Sequence, residues 1–164
     1  MLKPVRTRAR ASLAGGRFAI VASRYNARYV DGMLRAARAE LKRAGLAEVR
    51  VVRVPGAFEV PVVAGALARQ HPGWDAVICL GVILQGQTSH AQHIGEAVTA
   101  GLTQIAVSTG VPMIHEVLVF TNEEQARVRC LGKEFNRGAE AAQTALKMAA
   151  VMRALAVADD GIPF

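Results

Sequence analysis

The chain has 164 residues, 52% hydrophobic but only 5% aromatic, and carries a formal charge of +7 from 20 basic and 13 acidic side chains; this gives one domain with an aliphatic, alanine-rich core. The charge is not laid out as a stripe with interleaved aromatics, which argues against a nucleic-acid partner, and the apolar run Ala76–Leu84 is too short to span a membrane. Cys79 and Cys130 show no metal-type spacing, and with no signal-peptide pattern at the start the expectation is a cytoplasmic protein without a metal.

Residues 1–16 include Lys3, Arg6, Arg8 and Arg10 and read as a flexible basic tail; the folded domain is expected over 17–157 and a frayed tail over 158–164. Residues 17–22 form a short apolar strand, followed by the polar turn Ser23-Arg24-Tyr25-Asn26. From Ala27 the period changes. Val30, Met33, Leu34, Ala37 and Leu41 recur at helical steps, and Gly45 is a natural stop. Val49–Val54 is a valine-rich second strand ending in Pro55-Gly56-Ala57-Phe58-Glu59. Pro61 suits the first position of a helix that runs to about Gln70, before His71-Pro72-Gly73.

Ala76–Leu84 is a third strand buried on both faces. Gln85-Gly86-Gln87-Thr88-Ser89 then breaks the apolar run, and His90 opens a helix reaching to near Gly110, with Ser89 placed to cap it. Val111–Phe120 is the fourth strand. Thr121 with Glu124 reads as a capping box for a short helix from Glu123 to about Cys130. A basic loop, Gly132 to Gly138, leads to a last helix from about Ala139 to Ala156.

Near-continuous apolar strands alternating with helices predict an α/β fold: a single-domain three-layer sandwich with a four-stranded parallel sheet, flavodoxin-like order 2-1-3-4, and helices on both faces. In that order the chain reverses between strands one and three, and ligands bind outside the carboxyl ends of the strands there. Topology alone therefore gathers Tyr25, Asn26, Phe58, Glu59, the glycine turn at 86 and His90 at one edge.

Each of these has a functional and a plain reading. Tyr25 and Phe58 suit a planar heterocycle between them, or simply close the sheet end. Asn26 and Glu59 suit a polyhydroxylated chain, or act as a helix cap and a solvated first-turn acid. Gly86, Gln87 and Thr88 at a helix start suit a phosphate, or form an ordinary turn. His90 suits proton transfer near neutral pH, or is a structural or solvated imidazole. Arg129, Lys133 and Arg137 would welcome a phosphate, or are solvated charges.

Taken together, the motifs Ser-Arg-Tyr-Asn at 23–26, Val-Pro-Gly-Ala-Phe-Glu-Val-Pro at 54–61 and Leu-Gly-Val-Ile-Leu-Gln-Gly-Gln-Thr-Ser-His at 80–90 resemble the lumazine synthase family. Glu-Gln-Ala-Arg-Val-Arg at 124–129 and Asn-Arg-Gly-Ala-Glu-Ala-Ala at 136–142 extend the resemblance from about Arg17 to Leu155. It implies a riboflavin-pathway enzyme that joins 5-amino-6-(D-ribitylamino)uracil to 3,4-dihydroxy-2-butanone 4-phosphate, with no cofactor. It implies that Tyr25 stacks on the pyrimidine. Asn26 and Glu59, with backbone groups of Ala57, Phe58 and Val82, would hold the ribityl chain. Gly86, Gln87 and Thr88 would cradle the phosphate, and His90 would shuttle protons. Arg129 would come from a neighbouring subunit of a homo-oligomer, a pentamer or a multiple, with His115 and Arg137 near the ring. Handover of product to riboflavin synthase is the further partner it suggests.

The chain departs from the common family pattern at Gln85, Gln87, Ala91-Gln92-His93 and His115-Glu116. Loss of an arginine at 85 removes charge near the phosphate turn, and loss of an acid at 92 weakens the orientation of His90. The expectation is retained synthase activity with altered kinetics. The alternatives are a non-catalytic lumazine- or flavin-binding or shell-forming homologue and, on topology alone, a flavodoxin-like carrier.

Overall fold

The computed structural model describes Leu13, residues 15–46 and residues 48–159, with backbone only for 158 and 159. The expected tails, 1–16 and 158–164, lie mostly outside the described residues. The element order is β1 (Phe18–Ser23), α1 (Ala27–Arg43), β2 (Arg50–Val54), a 3-10 turn (Ala57–Glu59), α2 (Val60–Ala68), β3 (Ala76–Leu84), α3 (His90–Thr109), β4 (Met113–Phe120), α4 (Glu123–Leu131) and α5 (Arg137–Asp159). The four strands form one sheet in the order β2-β1-β3-β4, all pairs parallel, as the alternation of strands and helices predicts.

Side chains along a strand point to opposite faces in turn, and here both faces are covered. Phe18, Ile20 and Ala22 of β1, with Ile78, Leu80 and Val82 of β3, pack with Val30, Met33, Ala37 and Leu41 of α1 and Ala141, Ala142, Ala145 and Ala149 of α5. Ala19 and Val21, with Val77 and Cys79, pack on the other face with Val60, Ala64 and Leu67 of α2 and Val98 and Leu102 of α3. The alanines of α5 let it lie close to α1. At Gly138 the approach is closest: a Cβ there would sit 1.9 Å from the Met33 carbonyl oxygen, so only glycine fits.

Several boundaries differ from expectation for local reasons. β4 begins at Met113 rather than Val111, because Pro112 has no N–H for the ladder and joins it only through its carbonyl, which accepts from Val77 N at 2.9 Å. The α4 cap is Asn122, not Thr121: the Asn122 Oδ1 accepts from Gln125 N at 2.9 Å, and the Gln125 side chain accepts from Thr121 N at 3.1 Å. The 3-10 turn before α2 was not expected, and it places Pro61 at the second helical position rather than the first. α5 starts two residues early, at Arg137. α1 ends at Arg43 and is closed, as expected, by Gly45 just past its cap, where Gly45 N and Leu46 N reach back to Lys42 O (3.0 Å) and Leu41 O (3.1 Å).

Candidate active site

The carboxyl ends of β2, β1 and β3 are tied to one another. Arg24 N donates to Val54 O at 2.8 Å and Tyr25 N to Pro55 O at 3.0 Å, which joins the β1 turn to the β2 turn. Asn26 takes the left-handed conformation, φ 56°, open to asparagine more readily than to most residues. It occupies the N-cap position of α1 but makes no side-chain cap bond. Its Nδ2 instead donates to Val82 O at 2.8 Å, pinning the turn to β3. The plain capping reading of Asn26 is thus replaced by a cross-strand tie, and the Val82 carbonyl is one end of it.

Gly56 sits beneath both Tyr25 and Glu59. The Glu59 Oε2 accepts from Gly56 N at 2.8 Å, so this acid is not simply solvated. A Cβ on Gly56 would meet the Glu59 carboxylate and the Tyr25 ring at 3.0 Å each. Ala57 is buried, while Tyr25 and Phe58 stand 67% and 62% exposed at the same edge. Two large aromatics left open beside each other's strand ends are unusual in a chain with so few, and they offer faces to a flat ligand.

At the end of β3, Gln85 N donates to Phe120 O at 2.8 Å, and the chain then runs exposed through Gly86, Gln87, Thr88 and Ser89 into α3. Ser89 is the N-cap residue but makes no side-chain cap bond; the nearest substitute is Thr88 Oγ1, which accepts from His90 N at a long 3.4 Å. No acid lies in the first turn of this 20-residue helix. Its N-terminal N–H groups and dipole therefore face outward with no first-turn carboxylate of their own, which favours a negatively charged ligand. His90, exposed, is the first helical residue there.

The remaining predicted residues lie further along the sheet. Arg129, half-buried in the last turn of α4, lines a cavity of about 470 Å³ with Phe120, Glu124, Gln125 and Val128. It belongs to the β4 end, separated from the β1 turn by β3. His115 on β4 turns toward α3. Its Nδ1 accepts from Val117 N at 3.1 Å, which leaves the proton on Nε2, donated to Thr99 Oγ1 at 2.8 Å; Thr99 Oγ1 in turn donates to Gly95 O at 2.8 Å. Burial holds the His115 pKa below its ordinary value, in keeping with this neutral tautomer. Thr99 also lines a cavity of about 590 Å³ between α3 and β4, with Gln85, Gln92, Glu96, Val117 and Val119.

Arg137 is not free. Its Nε donates to Glu116 Oε2 at 3.0 Å and its Nη1 to Glu140 Oε2 at 2.6 Å. Burial pushes the Glu116 carboxyl up to about 7 although Arg137 pulls it down. Lys133 is exposed in the loop before α5, which is ordered by Asn136: Nδ2 donates to Cys130 O at 2.8 Å and Oδ1 accepts from Gly138 N at 2.9 Å. So the fold brings together Tyr25, Asn26, Ala57, Phe58, Glu59, Val82 and the 86–90 turn, and sets His115, Arg129 and Arg137 on the β4 side. Residues that sequence reasoning passed over include Thr99 and Arg53, the latter with a signal, a charge inside the valine strand; Glu116 is legible there only as a departure from the family pattern, not as the partner of Arg137. Among the described residues, no group of His, Cys, Asp and Glu is arranged to hold a metal, and no helix is long and apolar enough to cross a membrane.

Residues 15–153 match the family model for 6,7-dimethyl-8-ribityllumazine synthase. A protein of that name from Kineococcus radiotolerans is 46% identical over 150 residues, covering 90% of this chain and 92% of its own. Relatives of the same name from Pseudarthrobacter chlorophenolicus and Mycobacteroides abscessus are each 42% identical, over 139 and 144 residues. The first alignment covers 84% of both chains, and the second 87% of this chain and 88% of the relative.

Proposed function

The chain belongs to the 6,7-dimethyl-8-ribityllumazine synthase family, and from that premise we propose that the edge built from residues 23–26, 55–59 and 85–90 is its active site. The chain condenses 5-amino-6-(D-ribitylamino)uracil with 3,4-dihydroxy-2-butanone 4-phosphate, giving 6,7-dimethyl-8-ribityllumazine, phosphate and two waters, a step of riboflavin biosynthesis. The observation that carries this placement is the meeting of open aromatics, an anion-receptive helix start and an exposed histidine at one sheet edge.

In this reading Tyr25 stacks on the pyrimidine. Asn26 and Glu59 each have one polar atom engaged within the protein, on Val82 O and Gly56 N, and present the remaining oxygen to the ribityl hydroxyls. Backbone groups of Ala57, Phe58 and Val82 complete that wall. Gly86, Gln87 and Thr88 hold the phosphate against the α3 N-terminus. His90 then moves protons as the amine adds to the ketone, as a first water leaves to form the imine, as the phosphate is eliminated, and as ring closure by the ribityl-bearing nitrogen expels a second water. Alignment of two reactive partners supplies up to ~7–11 kcal/mol of barrier reduction, and one well-placed histidine adds ~10²–10⁴-fold.

Arg129 reaches the phosphate from an adjacent copy, with His115 and Arg137 on the same side near the ring. Their contacts to Thr99, Val117 N, Glu116 and Glu140 keep them oriented. The enzyme therefore works as a homo-oligomer, a pentamer or a multiple of one, in the cytoplasm, and hands its product to riboflavin synthase. Val62 on α2 and Val107 on α3, 70% and 82% exposed, support side-by-side packing of copies. Incubating the purified chain with both substrates and following lumazine absorbance tests the assignment. Product formation above the buffer rate is expected; tight lumazine binding without turnover would favour a non-catalytic homologue.

A further inference from the structure

One guanidinium is joined to both sides of the turn that carries Tyr25. Arg53 lies in the edge strand β2, level with Ala22 of β1. Its Nη2 donates to the carbonyl of Ser23, the last residue of β1, at 2.9 Å, and its Nη1 to Asp31 Oδ1 in α1 at 2.5 Å. Ser23 precedes the turn and Asp31 follows it, so a single planar group fixes where the chain leaves the sheet and where the helix resumes. Between those anchors Arg24 N and Tyr25 N are bound to Val54 and Pro55 carbonyls, and Asn26 to Val82 O. Tyr25 itself remains open to solvent.

We propose that Arg53 and Asp31 are positioning residues for the Tyr25–Asn26 arm of the site, acting on the planar substrate only through the turn. The substrate named here rests on the synthase reading. The fork is incompletely satisfied, because Arg53 Nε is buried with no hydrogen-bond partner among the described residues, and the pair is partly exposed, so its net contribution to stability is small. Removing the pair therefore disturbs the turn more than it unfolds the domain.

The test compares wild type with Arg53→Met, Arg53→Lys and Asp31→Asn. Steady-state kinetics with each substrate varied in turn are combined with hydrogen exchange on the peptide spanning residues 22–27, and thermal unfolding is the control for folding. For Arg53→Met we expect a rise of about tenfold in KM for the ribitylaminouracil, less than twofold in KM for the butanone phosphate, and exchange about tenfold faster at Arg24 and Tyr25. Arg53→Lys should recover part of each effect, and Asp31→Asn should reproduce part of it without adding to Arg53→Met in the double variant. Unchanged exchange in the 22–27 peptide, or an equal rise in both KM values, would overturn the proposal. Should wild type make no product, the synthase reading fails by itself, and the exchange result still decides whether the pair holds the turn.

Discussion

Replacing Glu116 by Gln should remove a specific pH dependence of stability. Glu116 is 7% exposed on β4, and burial raises its carboxyl from 4.5 to about 7, against the pull of Arg137. A carboxyl whose folded pKa lies above its unfolded one binds its proton more tightly in the folded state. Its contribution to stability is full below about 4.5 and is lost as pH rises through about 7. A shift of this size corresponds to on the order of 3 kcal/mol. Glutamine keeps an acceptor for Arg137 Nε and removes the charge, while Glu140 stays on Nη1 at 2.6 Å. Urea unfolding of both proteins at pH 5 and pH 8, at one fixed protein concentration because assembly enters the midpoint, gives the comparison. Wild type should lose up to about 3 kcal/mol more than Glu116→Gln between those two pH values. Parallel pH slopes in the two proteins would refute the reasoning and mean that the ion pair with Arg137 fully offsets burial.

Three further outcomes follow from the same geometry. Gly138→Ala forces a methyl to 1.9 Å from the Met33 carbonyl oxygen, so α5 must move off α1; a loss of at least ~3 kcal/mol is expected, read as insoluble protein or a Tm lower by ten degrees or more. Gly56→Ala meets only the movable Tyr25 ring and Glu59 carboxylate, at 3.0 Å, so Tm should change little while KM for the ribitylaminouracil rises about three- to tenfold, in line with ~0.5–1.5 kcal/mol of side-chain strain. Co-assembling His90→Ala with Arg129→Ala subunits should restore activity to at most about a quarter of wild type, the share of mixed sites with both side chains intact when copies mix at random; no recovery would place both residues in one subunit's site.

The sheet was legible because its signal is local. The runs at 18–23 and 76–84 are apolar without alternation, which is what a strand covered on both faces requires, and α1 shows a clean helical period at Val30, Met33, Ala37 and Leu41. Chain order then places the β1, β2 and β3 ends side by side. What stayed hidden depends on partners distant in sequence. Asn26 reads as a helix cap until Val82, 56 residues away, takes its amide. Arg137 reads as a free cation until Glu116 is seen beside it. The 3-10 turn at 57–59 follows from the Glu59 carboxylate folding back on Gly56 N, a contact that spacing alone does not distinguish from a solvated acid. The shift of the α4 cap to Asn122 is a choice between adjacent capping residues, settled by which side chain meets Gln125 N.

The most direct test concerns His90 at the start of α3. With both substrates saturating, lumazine formation by wild type and by His90→Ala should differ by ~10²–10⁴-fold, the usual worth of a positioned proton carrier, while both proteins bind the product. Equal rates in the two proteins, whether fast or no better than buffer, would contradict the assignment of this sheet edge as the catalytic centre.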